Sequence, residues 1–162
     1  MAAAVISGSP PNVPTSGPQR TVPAGEVLDL DLPGVEFGDT EDQLARRGLL
    51  GEDAGGCGRT LTGHSTTSPV FIDDRLVLLW LDDSTRTTEG VGVGSPVQQV
   101  RIRYPELTAL HAPQGTYRLD GLLARDGELA YLFLHDGRTV RKIIAGYADW
   151  ARRLFAEGRA PC

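Results

Sequence analysis

Regularly spaced apolar residues begin at Val27 and continue to Leu32, where Pro33 and Gly34 interrupt them. Before that point, residues 1–25 contain five prolines among serine, glycine and threonine. Such a composition cannot bury enough apolar surface to offset the entropy that a chain loses on ordering. The pattern therefore predicts a disordered tail or linker over residues 1–25 and a single folded domain over residues 26–162.

An internal repeat organises the folded part. The segment from Gly34 to Leu44 aligns without gaps onto the segment from Gly90 to Val100, at a constant offset of 56 residues. Each copy reads glycine, valine, any residue, an apolar residue and glycine, and a short helix is predicted to follow. The repeat predicts two related halves, over about residues 32–82 and 88–146.

The starts of the two helices are predicted from their capping residues. Asp39 and Ser95 follow the last glycine of each copy, and their side-chain oxygens suit the N-cap, where they accept from free backbone amides. Asp42 and Gln98 stand three residues later, at the second position of a capping box. Pro96 is predicted at the first helical position, where its missing N–H costs nothing.

Strands are predicted after each helix from alternating apolar residues and turn signals. The two predicted hairpins are Pro69–Ile72 with Leu76–Leu81, and Glu128–Leu134 with Thr139–Ile144. A further strand is predicted over Thr116–Leu123. Apolar residues then recur with helical spacing from Tyr147, which predicts a C-terminal amphipathic helix over about residues 147–157 that ends at Gly158. This order of elements predicts an α+β fold, with helices on one face of an antiparallel sheet and an extra C-terminal helix.

Composition narrows the class of partner. The chain has 162 residues, of which 40% are hydrophobic, and this length is enough to bury a core. Acidic residues outnumber basic ones by 21 to 16, which gives a net charge of -5. Nucleic-acid binding needs clustered cations, so we expect a protein partner that is neutral or basic. No run approaches the ~20 apolar residues of a membrane-spanning helix.

The two cysteines, Cys57 and Cys162, lack the spacing of a zinc site or a thioredoxin-like motif. Cys57 lies among glycines and Cys162 follows the predicted C-terminal helix, so each stands where a tether would stabilise the fold. We predict a disulfide between them, and with it a secreted or cell-envelope location. The alternative is a cytoplasmic protein with two free thiols, because residues 1–6 lack the basic region of a signal peptide.

Residues capable of catalysis are sparse. His64, His111 and His135 lie far apart in the sequence and show no metal-ligand spacing. The segment Gly63–Ser68 places hydroxyl groups beside His64, but it lacks the Gly-x-Ser-x-Gly motif of a nucleophile elbow. We interpret this segment as a polar loop and expect neither a metal nor a cofactor.

Two other motifs are interpreted as structural. The acidic pairs at 73–74 and 82–83 fall where turns are predicted and lack the spacing of a calcium loop. The glycine-rich segment from Gly90 to Gly94 precedes a predicted helix, but it lacks the lysine of a P-loop and the βαβ setting of a dinucleotide fold. Turn geometry and packing account for both.

The half-repeats resemble a known group of secreted proteins. The segments Gly34–Leu44 and Arg86–Pro105 resemble the pattern of secreted actinobacterial proteins related to the β-lactamase inhibitory protein and to the small outer-membrane-assembly lipoproteins. The resemblance spans about residues 30–146, and its glycine, cap and apolar positions encode a fold and not a site. It implies short helices on one face of an antiparallel sheet and a role in binding. It does not imply inhibition of a β-lactamase, because no partner-contacting motif aligns.

Two hypotheses of function follow. The first is a non-catalytic module that binds another extracellular or envelope protein through an exposed sheet face, with inhibition of that protein as one form of the role. Its candidate contacts are Trp80, Tyr117 and His135. One side of the predicted strands carries Tyr117, Leu119, Leu129, Tyr131 and Phe133. The alternative for this side is that the helices cover it and that Tyr131 and Phe133 are core residues. The second hypothesis is a small hydrolase or ligand carrier that uses His64 or His135.

Overall fold

The computed structural model describes residues 32–53, 58–64 and 66–158, which form three helices and eight strands. The helices are α1 (Glu41–Arg46), α2 (Val97–Arg103) and α3 (Ala148–Glu157). The strands are β1 (Leu50–Asp53), β2 (Arg59–Leu61), β3 (Ser68–Ile72), β4 (Arg75–Trp80), β5 (Leu107–Leu110), β6 (Asp120–Asp126), β7 (Leu129–His135) and β8 (Val140–Tyr147). The predicted α+β class is confirmed.

Six strands form one antiparallel sheet in the order β3-β4-β8-β7-β6-β5, and β1 pairs with β2 in a small sheet beside β3. The β4–β8 pair joins the two halves of the chain, because β4 comes from the first half and β8 from the second. Leu78 lies opposite Gly146 in this pair, and Trp80 lies opposite Ile144. Each half therefore contributes one short helix and four strands, and the two halves meet in the six-stranded sheet between β4 and β8.

Helices cover both faces of the six-stranded sheet. Leu44 of α1 and Val100 of α2 pack on one face with Tyr131 and Phe133, whereas Ala151 of α3 belongs to the core on the other face. The predicted C-terminal helix is confirmed, and it ends at Gly158, whose φ of +67° forms a left-handed cap. Tyr131 and Phe133 are completely buried. The hypothesis that they lie on an exposed sheet face is therefore wrong, and they are core residues.

The repeat is visible in the backbone. Its first glycines, Gly34 and Gly90, have φ values of +81° and +80°, and its last glycines, Gly38 and Gly94, have +95° and +90°. Both turns attach to the sheet through the same pair of backbone hydrogen bonds. In the first half, the amide of Gly38 donates to the carbonyl of Leu76, and the amide of Leu76 donates to the carbonyl of Asp39. In the second half, Gly94, Val140 and Ser95 form the same two bonds. The two halves thus share one turn geometry.

The predicted N-caps are wrong by one residue. Thr40 caps α1, accepting from the amide of Gln43 in a complete capping box, and Pro96 occupies the N-cap of α2 without a side-chain bond. The second member of the capping box is therefore Gln43, and not Asp42. In α2, Pro96 precedes the first helical position, and Gln98 takes part in no capping box. Asp39 and Ser95 instead close the preceding turns, since their side chains accept from the amides three residues earlier, at 3.1 and 2.9 Å. The repeat encodes a turn before the helix, and not the helix cap.

The predicted hairpins are confirmed within one to three residues, including the turn at Asp136-Gly137. The predicted strand over Thr116–Leu123 begins too early, because β6 starts at Asp120 and Tyr117 lies in the loop before it. Residues 1–25, Cys57 and Cys162 lie outside the described residues, as does the predicted disulfide. No helix among the described residues is both long enough and apolar enough to span a bilayer.

Candidate functional site

The histidines lie apart in the fold. The His135 side chain is buried at the end of β7, where its Nδ1 accepts a hydrogen bond from the amide of Gly137 at 3.0 Å. His111 is exposed and faces Asp120 at 3.9 Å. His64 lies in the turn after β2, next to Ser65, which is outside the described residues. In the described ranges no group of three or more histidine, cysteine or acidic side chains is placed to hold a metal ion.

The acidic pairs lie in turns, as predicted. Asp73 and Asp74 connect β3 to β4 with φ values of +50° and +60°. Asp82 is buried and accepts five hydrogen bonds, from the amides and hydroxyls of Ser84 and Thr85 and from the hydroxyl of Thr67. Burial alone would raise the pKa of Asp82, but the bonds from Ser84 and Thr85 outweigh burial and hold its pKa well below the ordinary value. This carboxylate organises the turn.

An apolar cavity of about 240 Å³ lies where the end of α3 meets the sheet. We call it the α3 pocket. Its lining combines the ends of β4 and β7, the last turn of α3 and the loop before β6. The lining residues are Trp80, Tyr117, Arg118, Leu119, Leu134, Leu154, Phe155 and Gly158.

The sequence places the pocket walls through strand alternation and helix spacing. Trp80 and Leu134 point to the α3 face of the sheet, opposite to the side chains that pack against α1 and α2. Leu154 and Phe155 extend the apolar stripe of α3 beyond Ala148 and Ala151, which pack closely against the strands. The small alanines bring the start of the helix near the sheet, and the larger residues near its end leave the cavity between them.

Arg118 ties the pocket's loop wall to α3. Its guanidinium donates to the backbone carbonyl of Phe155 and stands 5.7 Å from the centroid of that ring. Gly158 makes room for this contact, because a Cβ at position 158 would lie 2.8 Å from the guanidinium carbon. Arg118 therefore satisfies a carbonyl at the helix end and ties the loop that carries Tyr117 to α3.

Two of the three candidate contact residues meet at this pocket. Tyr117 is fully exposed, at 107% of its reference area, and Trp80 is half-buried, with an indole N–H that has no hydrogen-bond partner in the described part of the chain. His135 is not part of the pocket, because it is buried on the α2 side of the sheet. The choice of His135 as an exposed contact on a strand is therefore wrong.

Leu154 and Phe155 were not predicted as site residues, because their spacing in the sequence predicts only a buried helix face. The usable signal was the change from alanine to large apolar side chains along that face. Comparison of the chain with protein-family models, with curated proteins and with solved structures gives no match.

Proposed function

We propose that this chain is a non-catalytic protein-binding module that receives an apolar side chain of its partner in the α3 pocket. The observation that carries the proposal is the combination of an apolar cavity with the fully exposed Tyr117 at its rim. Tyrosine and tryptophan are enriched among the residues that dominate interface energies. Burial of one partner side chain such as leucine or phenylalanine contributes about 1.5–3 kcal/mol, so the pocket suits a single anchor residue.

The placement of the histidines supports a role without catalysis. Nucleophilic and acid–base catalysis require groups within hydrogen-bonding reach of one another. His135 is engaged by the amide of Gly137 and is buried, whereas His111 is exposed with an acidic neighbour. Among the described residues no histidine side chain is hydrogen-bonded to a serine or threonine hydroxyl, so the alternative that uses His64 or His135 gains no support.

The binding proposal is tested with peptides selected by the full chain from a random displayed library. The expected peptides carry an aromatic or large aliphatic anchor, and Leu154→Glu should weaken them at least about tenfold, which corresponds to about 1.4 kcal/mol. Tyr117→Ser provides a variant without a folding risk, since this side chain is fully exposed. It should weaken the same peptides, whereas Arg152→Glu on the exposed side of α3 should not.

Either of two results would refute the proposal. One is a set of selected peptides whose binding is insensitive to both Leu154→Glu and Tyr117→Ser. The other is robust turnover of ester, phosphate or peptide substrates that is lost in His64→Ala.

We also propose that the module is secreted or resides in the cell envelope. The resemblance of the half-repeats and the pair Cys57 and Cys162 support this location. Mass spectrometry of the native protein under non-reducing conditions should detect the 57–162 disulfide. Two alkylatable thiols would contradict the location and leave the binding proposal standing.

A further inference from the structure

A second cavity, of about 390 Å³, lies between the turn before α1 and the turn that joins β6 to β7. We call it the acidic cavity. Polar and apolar surface line it in about equal parts, and the two acidic residues of the lining, Glu36 and Glu128, are exposed. The lining residues are Leu32, Val35, Glu36, Phe37, Leu79, Glu128, Leu129 and Tyr147. It shares no lining residue with the α3 pocket.

The two carboxylates of the acidic cavity have no ion-pair partner among residues 32–53, 58–64 and 66–158. The basic residues nearby are engaged elsewhere, since Arg47 pairs with Asp39 and Arg75 donates to the carbonyl of Gly38. Of the lining residues that the structure describes, none is basic. A cation that entered would therefore meet two carboxylates without displacing a described basic residue.

Aromatic rings complete the cavity wall. The rings of Phe37 and Tyr147 meet edge to face, with centroids 6.2 Å apart. Gly38 allows this packing, because a Cβ there would lie 2.9 Å from the Tyr147 hydroxyl. Aromatic faces attract cations, and arginine side chains bury their aliphatic stems on apolar surface while the charged end stays near polar groups.

We propose that the acidic cavity binds an arginine side chain of a basic peptide segment in a protein partner. The guanidinium suits it because this group is planar, weakly hydrated, able to stack on aromatic rings and able to pair with carboxylates. The stem contacts Phe37 and Leu129, which are both partly exposed, and the charged end reaches Glu36 and Glu128. The net charge of -5 favours the approach of such a segment. The site is separate from the α3 pocket, and the two proposals can fail independently.

The probe is a blocked peptide of sequence glycine-leucine-arginine-leucine-glycine, together with a counterpart in which citrulline replaces arginine. Citrulline keeps the shape of the side chain and removes its charge. Titration of the full chain followed by NMR should shift resonances of Phe37, Leu79 and Tyr147 with the arginine peptide. The citrulline peptide should bind several-fold more weakly, and added salt should reduce the difference.

Matched variants separate local charge from net charge. Glu36→Gln and Glu128→Gln should each weaken the arginine peptide about two- to fivefold, the range for solvent-exposed ion pairs. Glu52→Gln and Glu106→Gln change the net charge equally at exposed positions outside the cavity, and they should leave binding unchanged. All four side chains are exposed, so the variants should retain the native spectrum.

Three results would overturn the proposal. The first is equal affinity for the arginine and citrulline peptides. The second is a shift pattern centred on Trp80 and Leu154, which would place the peptide in the α3 pocket. The third is equal weakening by all four glutamine variants, which would indicate attraction to the whole surface and no specific cavity.

Discussion

His135 couples the stability of the β7–β8 hairpin to pH. Its Nδ1 accepts from the amide of Gly137, so the ring serves this bond in its neutral form. Burial lowers the pKa of His135 below its ordinary value of about 6.5. The charged or titratable groups that face the ring are Asp120 and Asp136, which oppose this shift, and Arg101 and His111, which add to it.

We expect the free energy of unfolding to fall as the pH is lowered below about 6.5. The unfolded chain takes up the proton first, so the contribution of His135 is complete above that pH and is lost as the pH falls through the lowered pKa of the folded state. His135→Gln keeps a side-chain acceptor and should remove this part of the pH dependence in urea unfolding experiments. His111→Gln, at an exposed position, should retain it. An unchanged pH profile in His135→Gln would contradict the assignment.

The turn residues before α1 show why capping was misassigned by one position. Asp39 and Thr40 are both good N-caps, and sequence spacing does not distinguish them. The backbone bonds between Leu76 and this turn fix the helix start. Those bonds join residues far apart in the chain, so the local pattern does not contain them.

At the scale of elements, α1 has only six residues, and its ends must be satisfied by side chains. Thr40→Ala should cost about 1 kcal/mol through loss of the N-cap bond. Asp39→Ala should cost more, about 1–3 kcal/mol, because it removes the acceptor of the Glu36 amide and the carboxylate that pairs with Arg47, which keeps only its bond to the carbonyl of Gly34. Urea unfolding at neutral pH measures both. Gln98→Ala, at an exposed position in the first turn of α2, is the control. A larger loss of stability in Thr40→Ala than in Asp39→Ala would contradict the expected order.

Predictability differed among the strands for a physical reason. Strands β3, β4, β7 and β8 are long, apolar and joined by tight turns, so their sequences specify them. By contrast, β1, β2 and β5 have three or four residues each, with several half-exposed or exposed side chains, and they depend on neighbours for their definition. The early start predicted for β6 reflects an alternation at Thr116–Leu119 that belongs to a loop held by Arg118.

Period-two alternation assigns side chains to two faces without saying which face is covered. For this reason some of the predicted aromatic residues lie in the core, and others line the α3 pocket. Phe133 and Trp80 both belong to strands in which apolar side chains alternate between the two faces. Phe133 lies on the face that α2 covers, whereas Trp80 lies on the face that α3 covers. The α3 pocket unites Trp80 with Tyr117 and Leu154, which are 37 and 74 residues away in the sequence. Only the packing of α3 on the sheet brings them together.

At the scale of the molecule, the β4–β8 pair is where the two halves meet within the six-stranded sheet. Gly146 of β8 lies opposite Leu78 of β4, with a φ of +144° that favours glycine. A Cβ at this position would lie 2.1 Å from the carbonyl oxygen of Val77 and 2.9 Å from the Cα of Leu78. Both are backbone atoms, so no side-chain rotation relieves the overlap. The absence of a side chain at Gly146 is therefore a condition for joining the halves.

We expect Gly146→Ala to lower the free energy of unfolding by about 3 kcal/mol or more, because β4 and β8 must move apart to admit the methyl group. Gly127→Ala is a matched control, since Gly127 also has a positive φ, of +58°, but has no other atom within 4 Å of the added Cβ. It should cost only the backbone strain, about 1–2 kcal/mol. Urea unfolding followed by circular dichroism gives both values. If the two variants lose equal stability, close packing at the β4–β8 pair does not hold the halves together.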